Sequence, residues 1–177
     1  MSKMAMKKLI IIGCGAHGRV LAETASLTGL YEPVGFVDED PARVGTRIMG
    51  LPVMADWKQS GAEAFVVGIG NNTHRAKFFE RLRQAGADIV ALVHPFSFVS
   101  RHAKLGSGSV VLAGGVVQSG AVVGANAILN IGSVVDHDAQ VGDHAHLAPN
   151  STLASFGKVG TGEVLAAGQV RLRELAG

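Results

Sequence analysis

One cysteine, one tryptophan and one tyrosine are all that the 177 residues hold of those types, and aromatics make up only 5%. The lone cysteine, Cys14, excludes an intramolecular disulfide framework and fits a reducing compartment. Charge of one sign is also scarce. The net charge is +2 and no Lys/Arg run forms a stripe, so nucleic-acid binding has no support. Long apolar runs are missing too. The apolar stretch behind the basic MSKMAMKK, residues 9–12, is too short for a signal peptide or a membrane span. A cytoplasmic protein without membrane insertion is expected. Yet 47% of the chain is hydrophobic. With so few aromatics, this fits a core of Val, Leu, Ile and Ala, partly shared with partner subunits. The length suits one large or two small domains.

What the sequence does contain is a period. A Val or Leu stands at every sixth position from Val93 through Leu165, thirteen in unbroken phase. Four residues after each comes a small residue, from Ser97 to Gly157, and only Glu163 and Gln169 break that rule. A period of six fits the two-residue repeat of a strand and excludes the 3.6-residue repeat of a helix. Each hexad makes one short flat wall with its aliphatic residue inward, and the small residue suits a tight corner. Stacked coils bury a ladder that no single repeat could bury alone. At roughly 1.5–3 kcal/mol per buried aliphatic, such a ladder holds a narrow prism together. A β-sandwich would show turn signals every 8–12 residues and no strict phase.

Residues 1–92 follow another pattern. Strands are expected at residues 8–12, 34–37, 64–69 and 88–93, with helices at 19–27 and 73–85, the second carrying Phe78, Phe79 and Leu82 on one face. The segment MGLPVMAD reads as a short strand or hairpin. Alternating strands and helices indicate a small parallel α/β sheet. Gly13, Gly15 and Gly18 form G-x-G-x-x-G between the first strand and helix, where a diphosphate can approach the backbone and the helix N-terminus. Asp38 stands where an acidic residue would hydrogen-bond a ribose hydroxyl. The motif alone suggests a nicotinamide cofactor and an NAD-dependent oxidoreductase. However, about ninety residues form only half of a dinucleotide fold, enough for one nucleotide diphosphate such as the UDP of a nucleotide sugar. A glycine turn that merely packs helix on strand is the plainer alternative.

Residues 130–150 gather His137, His144 and His146 with Asp136, Asp138 and Asp143. Val135 and Val141 are inward, which leaves His137 on the wall surface. Asp138 beside it can fix the imidazole tautomer and raise its basicity, the usual support for a general base. A solvated polar face is the alternative. A zinc site lacks an evident third ligand, so no metal is expected. No G-x-S-x-G elbow supports Ser/His/Asp hydrolysis.

GCGAHG, VDED, IGNNTHR, HPFSFVS and NIGSVVDHDAQVGDHAHLAPNSTL occur in that order across nearly the whole chain. In these features the chain resembles sugar acyltransferases of the sialic acid O-acetyltransferase and bacillosamine N-acetyltransferase type. The resemblance implies a Rossmann-like nucleotide-sugar-binding domain (residues 1–92) followed by a left-handed parallel β-helix of hexapeptide repeats (residues 93–177). It implies a homotrimer with active sites between neighbouring β-helices, acetyl-CoA as donor, and a UDP- or GDP-linked amino sugar in bacterial surface-glycan synthesis as acceptor. His137 would be the general base, taking a proton from the acceptor amine or hydroxyl, with Asp138 orienting it. His146 would lie by the thioester, Ser155 and Ala167 would line the donor, and Asn130 would reach the sugar. Gly13, Gly15, His17, Asp38, Asn71 and Arg75 would line the nucleotide site.

The phase stops by Val170, before a charged RLRELAG that reads as a short terminal helix, a tail or a polar cap. The family's further coils grip the pantetheine and nucleotide of coenzyme A. A shortened donor site is therefore expected, and with it an alternative: a non-catalytic trimer that binds a nucleotide sugar beside a truncated acetyl-CoA site.

Overall fold

The run Leu9, Ile10, Ile11, Ile12 carries no polar side chain, the pattern of a strand covered on both faces. In the computed structural model, which describes residues 5–173, it lies in strand β1 (Lys7–Ile12), and all four side chains are buried. The chain continues through α1 (Ala16–Thr28), β2 (Tyr31–Val37), β3 (Arg47–Ile48), β4 (Leu51–Met54), β5 (Ala64–Val67) and α2 (Asn72–Gln84). These strands form one sheet in the order β3-β4-β2-β1-β5. Only the β3–β4 hairpin is antiparallel, at the edge; β4, β2, β1 and β5 run parallel. The order turns back at β1, which has β2 on one side and β5 on the other. Ligands of open α/β sheets bind beyond the carboxyl ends of strands at such a switch point.

Helix α1 buries Leu21, Ala22 and Ala25 and ends at Gly29 in the left-handed conformation. Helix α2 buries Phe79 and Leu82, but the third buried residue is Arg75 rather than Phe78. The expected strand at residues 88–93 does not form as a unit. Phe65 N–H donates to Asp88, Val90 N–H donates to Phe65, and Ile89 makes a single parallel bridge to Phe65. Leu92–Val93 instead opens the repeat. The apolar run is divided because Val93 must take the first place in the six-residue phase.

The chain divides into two compact units, Met1–Leu92 and Val93–Gly177. The second is a left-handed parallel β-helix with three walls. Wall one stacks Phe98–Val99, Val116–Val117, Val134–Val135, Thr152–Leu153 and Val170–Arg171. Wall two stacks Lys104–Leu105, Val122–Val123, Gln140–Val141 and Lys158–Val159. Wall three stacks Leu92–Val93, Val110–Val111, Ile128–Leu129, His146–Leu147 and Val164–Leu165. Each strand pairs in parallel with the third strand after it. The second residue of each two-residue strand points inward. From Val111 to Leu165 these inward aliphatics form one buried core together with the corner alanines.

At the third place after each aliphatic from Leu105 to Leu165 the backbone turns left-handed. Gly108, Gly120, Asn126, Asp138, His144 and Asn150 all have positive φ there. Gly and Asn/Asp tolerate this turn best. The fourth place faces inward, and Ala121, Ser133, Ala139, Ala145 and Ser151 are all fully buried there. Glu163 and Gln169 escape the small-residue rule on the last coil by reaching back along their own corners. The Glu163 carboxylate accepts from Gly160 N–H at 2.7 Å, and the Gln169 carbonyl accepts from Ala166 N–H at 3.2 Å. The wall itself runs one strand past the expected stop, since Val170–Arg171 pairs with Thr152–Leu153. Residues 172 and 173 are not helical, and the rest of RLRELAG lies outside the described residues.

Candidate functional site

Three loops meet at the carboxyl ends of β1, β2 and β5. They enclose a cavity of about 530 Å³ lined by Gly13, Gly15, His17, Asp38, Arg43 and His74 among others. The glycines are there because backbone approaches backbone. A β-carbon on Gly18 would collide with the Gly13 carbonyl, and one on Gly68 would sit 2.6 Å from the Gly18 Cα. Gly15 caps α1, whose first turn carries no acidic side chain. Its N–H groups therefore present an uncompensated positive end, suited to an anion.

Asp38 is more deeply engaged than a ribose ligand need be. One carboxylate oxygen accepts from Cys14 N–H at 3.1 Å, from the Cys14 thiol at 3.0 Å and from Arg43 at 3.4 Å. The other accepts from Asp40 N–H at 3.0 Å. Burial by itself would raise this carboxyl, but the bonds from Cys14 and Asp40 and the charge of Arg43 outweigh it. Asp38 is held below the usual carboxylate range. Burial and the adjacent Asp38 push the Cys14 thiol up, away from thiolate character. Arg43 also pairs with Asp40 at 3.2 Å, which keeps its guanidinium along the cavity wall.

Asn71 and Arg75 serve the loop rather than the cavity. Asn71 caps α2 by accepting from His74 N–H at 3.0 Å. Arg75 is 1% exposed and donates to the carbonyls of Ile69 and Gly70 at 3.2 and 3.0 Å. Burial pushes its pKa down to about 10, which leaves it charged at neutral pH. The same helix turns His74 and Phe78, four residues apart, toward the cavity.

The histidines and aspartates of residues 130–150 do not form one cluster. Among the described residues no group of three could hold a metal ion. His137 and Asp138 stand on the corner between walls one and two. There His137 Nδ1 lies 2.9 Å from an Asp138 carboxylate oxygen, and both side chains are half exposed. With Nδ1–H donating to the carboxylate, Nε2 keeps its lone pair. Asp138 reaches this position because Gly120 lies one coil below, where a β-carbon would collide with its carboxylate. Ser155 follows His137 on the same corner one coil later.

Asp143 and His144 stand on the next corner. Asp143 accepts from Ala125 N–H at 2.8 Å, and His144 Nδ1 meets Asn126 at 2.8 Å. His146 points outward from wall three, and its Nε2 lies 3.1 Å from the Asn130 side-chain nitrogen. The Asn130 oxygen accepts from Ile131 N–H at 2.8 Å, which turns the amide nitrogen to the imidazole. His146 Nε2 is then the acceptor and Nδ1 carries the hydrogen. Ala167 lies on Asn130's corner two coils later. In a three-walled prism, wall three faces away from the corner of walls one and two. The pairs His137–Asp138 and Asn130–His146 therefore look in different directions within one chain.

Residues 8–82 match the PglD N-terminal domain, and residues 120–155 match the bacterial transferase hexapeptide (six repeats). PerB from Caulobacter crescentus, solved in complex with CoA and GDP-perosamine, is 32% identical, with a TM-score of 0.80. The match covers 97% of this chain and 91% of that one. This chain belongs to the PglD-like sugar acetyltransferases. The acetyltransferase domain of PglB from Neisseria gonorrhoeae is 28% identical over 93% of each chain, with a TM-score of 0.70. UDP-N-acetylbacillosamine N-acetyltransferase from Bacillus subtilis (strain 168) is 30% identical over an alignment of 120 residues that covers 61% of this chain. The chain matches about half the length of that curated relative, 52%.

For a PglD-like chain, the sequence-derived site residues therefore sort into three sets. Gly13, Gly15, His17 and Asp38 line the cavity, while Asn71 and Arg75 support it. His137 meets Asp138, and Asn130 meets His146. Ser155 and Ala167 lie on separate corners. Arg43 and His74 were not singled out as site residues from the sequence, and Phe78 was read only as part of the buried face of its helix. The spacing of His74 and Phe78 was a usable signal, since it places both on one helix face beside a glycine turn.

Proposed function

We propose that this protein transfers the acetyl group of acetyl-CoA to the amino group of a nucleotide-linked sugar, with His137 as general base. The observation that carries the proposal is the half-exposed His137–Asp138 pair on a β-helix corner, whose Nδ1 is tied at 2.9 Å, which leaves Nε2 its lone pair. Acetyl-CoA supplies an activated thioester. As the amine attacks its carbonyl carbon, His137 Nε2 takes the amine proton. The C–S bond then breaks, and the proton passes to the departing thiolate. Asp138 holds the imidazole in the tautomer this requires and stabilises the imidazolium. His146, met by Asn130 at 3.1 Å, would lie by the thioester, as the family resemblance implies.

The N-terminal cavity, with its bare helix end, Arg43 and His74, suits a nucleotide diphosphate. Relatives with bound GDP-perosamine and CoA support this division of labour. The opposed directions of the two histidine pairs support a homotrimer, in which His137 of one protomer and His146 of its neighbour share a cleft. The low cysteine content supports a cytoplasmic setting.

The test mixes pure protein with acetyl-CoA and a panel of UDP- and GDP-4-amino sugars and records free thiol. Transfer to at least one sugar, abolished by His137→Ala, is expected. No transfer to any, with the variant indistinguishable from the parent, sinks the proposal. Calorimetry that shows nucleotide-sugar binding without coenzyme A binding would favour the non-catalytic trimer instead.

A further inference from the structure

One corner of the β-helix breaks the backbone rule of all the others. Among the described residues, every other left-handed corner carries Gly, Asn, Asp or His, but residue 156 is Phe at φ +61°. A bulky side chain in this conformation is an outlier that persists when something else requires it. Burial is not the reason, because Phe156 is 52% exposed. Nor is the corner short of glycine. Gly157 occupies the next, inward place, where a β-carbon would press on Leu153 and the Ala154 carbonyl.

What the ring does contact is His137. The two rings meet edge-on with centroids 5.3 Å apart and planes at 87°. The backbones are tied as well, with Phe156 N–H donating to the His137 carbonyl at 3.2 Å. Asp138 thus holds the imidazole through Nδ1 from its own coil, and Phe156 bears on it from the coil that follows. A half-exposed carboxylate fixes one edge of the ring but does not stop it from swinging about that bond. A flat aromatic body beside it does.

We propose that Phe156 is a positioning residue, kept in a strained corner because its ring fixes the direction of His137 Nε2. This rests on His137 being the base of the acetyl transfer proposed above. Misaimed bases cost rate steeply, since productive geometry is needed within a fraction of an ångström.

The test compares Phe156→Asn and Phe156→Tyr in the full-length chain. Asparagine suits the left-handed turn and removes the ring, whereas tyrosine keeps it. A merely structural role predicts that Asn equals or improves on the parent. The proposal predicts that kcat falls at least about tenfold in Phe156→Asn with KM for both substrates within about twofold, and that Phe156→Tyr keeps the parental kcat.

Nitrogen NMR of 15N-histidine-labelled protein supplies a readout independent of turnover, with the His137 signals identified by their loss in His137→Ala. The Nδ1–H tautomer set by Asp138 is expected in all three proteins, while relaxation of the ring nitrogens should show a rigid imidazole in the parent and in Phe156→Tyr and a mobile one in Phe156→Asn. Unchanged His137 relaxation in Phe156→Asn overturns the positioning role, whatever the activity or the melting temperature does. So does a rise in KM with kcat preserved. Should the parent acetylate no sugar, the proposed function fails, and the His137 relaxation still decides the role of Phe156.

Discussion

Asp38 directly follows a strand and Asp138 stands on a corner between two, and the two units use these aspartates in opposite ways. The Asp38 side chain is 16% exposed, receives donors on both oxygens, and organises a glycine loop around a cavity. The Asp138 side chain is 51% exposed, sits on a left-handed corner, and spends its carboxylate on one imidazole. The first arrangement lines a concave cavity. The second ties one imidazole nitrogen and leaves the other its lone pair, on a half-exposed corner. Glycine serves both units in the same two ways. Gly18 and Gly68 permit backbone to touch backbone in the α/β unit, as Gly106, Gly124 and Gly142 do between coils of the β-helix, and both units also place glycine at left-handed turns.

The largest expected effect separates chemistry from binding. His137→Ala should lower acetyl transfer by about 10²–10⁴-fold while nucleotide-sugar affinity, measured by calorimetry, stays within about twofold. Equal loss of both would erase the distinction between the two units. Gly18→Ala should do the reverse. Its methyl meets the Gly13 carbonyl, so the loop must shift at a cost of about 1–3 kcal/mol in urea unfolding, and nucleotide-sugar binding should be lost.

Arg75→Leu strips the donors from the Ile69 and Gly70 carbonyls, and about 2 kcal/mol of stability should go with them. A variant as stable as the parent would show that Arg75 does not support that loop. Gly120→Ala puts a methyl against the Asp138 carboxylate on a left-handed corner. Its expected outcome is a loss of about 1 kcal/mol in stability, with a fall in kcat greater than the change in KM.

The smallest effect is one of pH. The folded state lowers the Asp38 carboxyl, so its contribution is present above the ordinary carboxylate pKa and is lost as pH falls through the folded value. Asp38→Asn should therefore be less stable than the parent near pH 6, and the gap should close toward about pH 3. A gap that persists unchanged at acid pH would mean that the carboxylate's charge is not what holds the loop.

The β-helix was legible down to single residues. Its period assigns Val135 and Val141 inward and leaves His137 outside, because each hexad repeats one local geometry and stacking copies it. The α/β unit was legible in its elements and less so in its site. Asn71 and Arg75 stand in the right loop, yet α2 turns them to its own cap and beneath the glycine turn, and presents His74 and Phe78 instead. That choice depends on which helix face the sheet covers, and a thirteen-residue helix with a buried arginine does not announce it. The stretch at residues 88–93 was apolar enough for a strand, but two structures divide it.

By itself the sequence determined the coil, its phase, the inward ladder, the glycine loop and the neighbouring pair His137–Asp138, all consequences of local periodicity or adjacency. Only the tertiary structure decided that His146 joins Asn130 and faces away from His137, that Cys14 and Arg43 occupy Asp38, and that Phe156 leans on the imidazole. Those are contacts between coils or between strand ends. Distances across a stack follow from the path of the chain in space, which no spacing along it states.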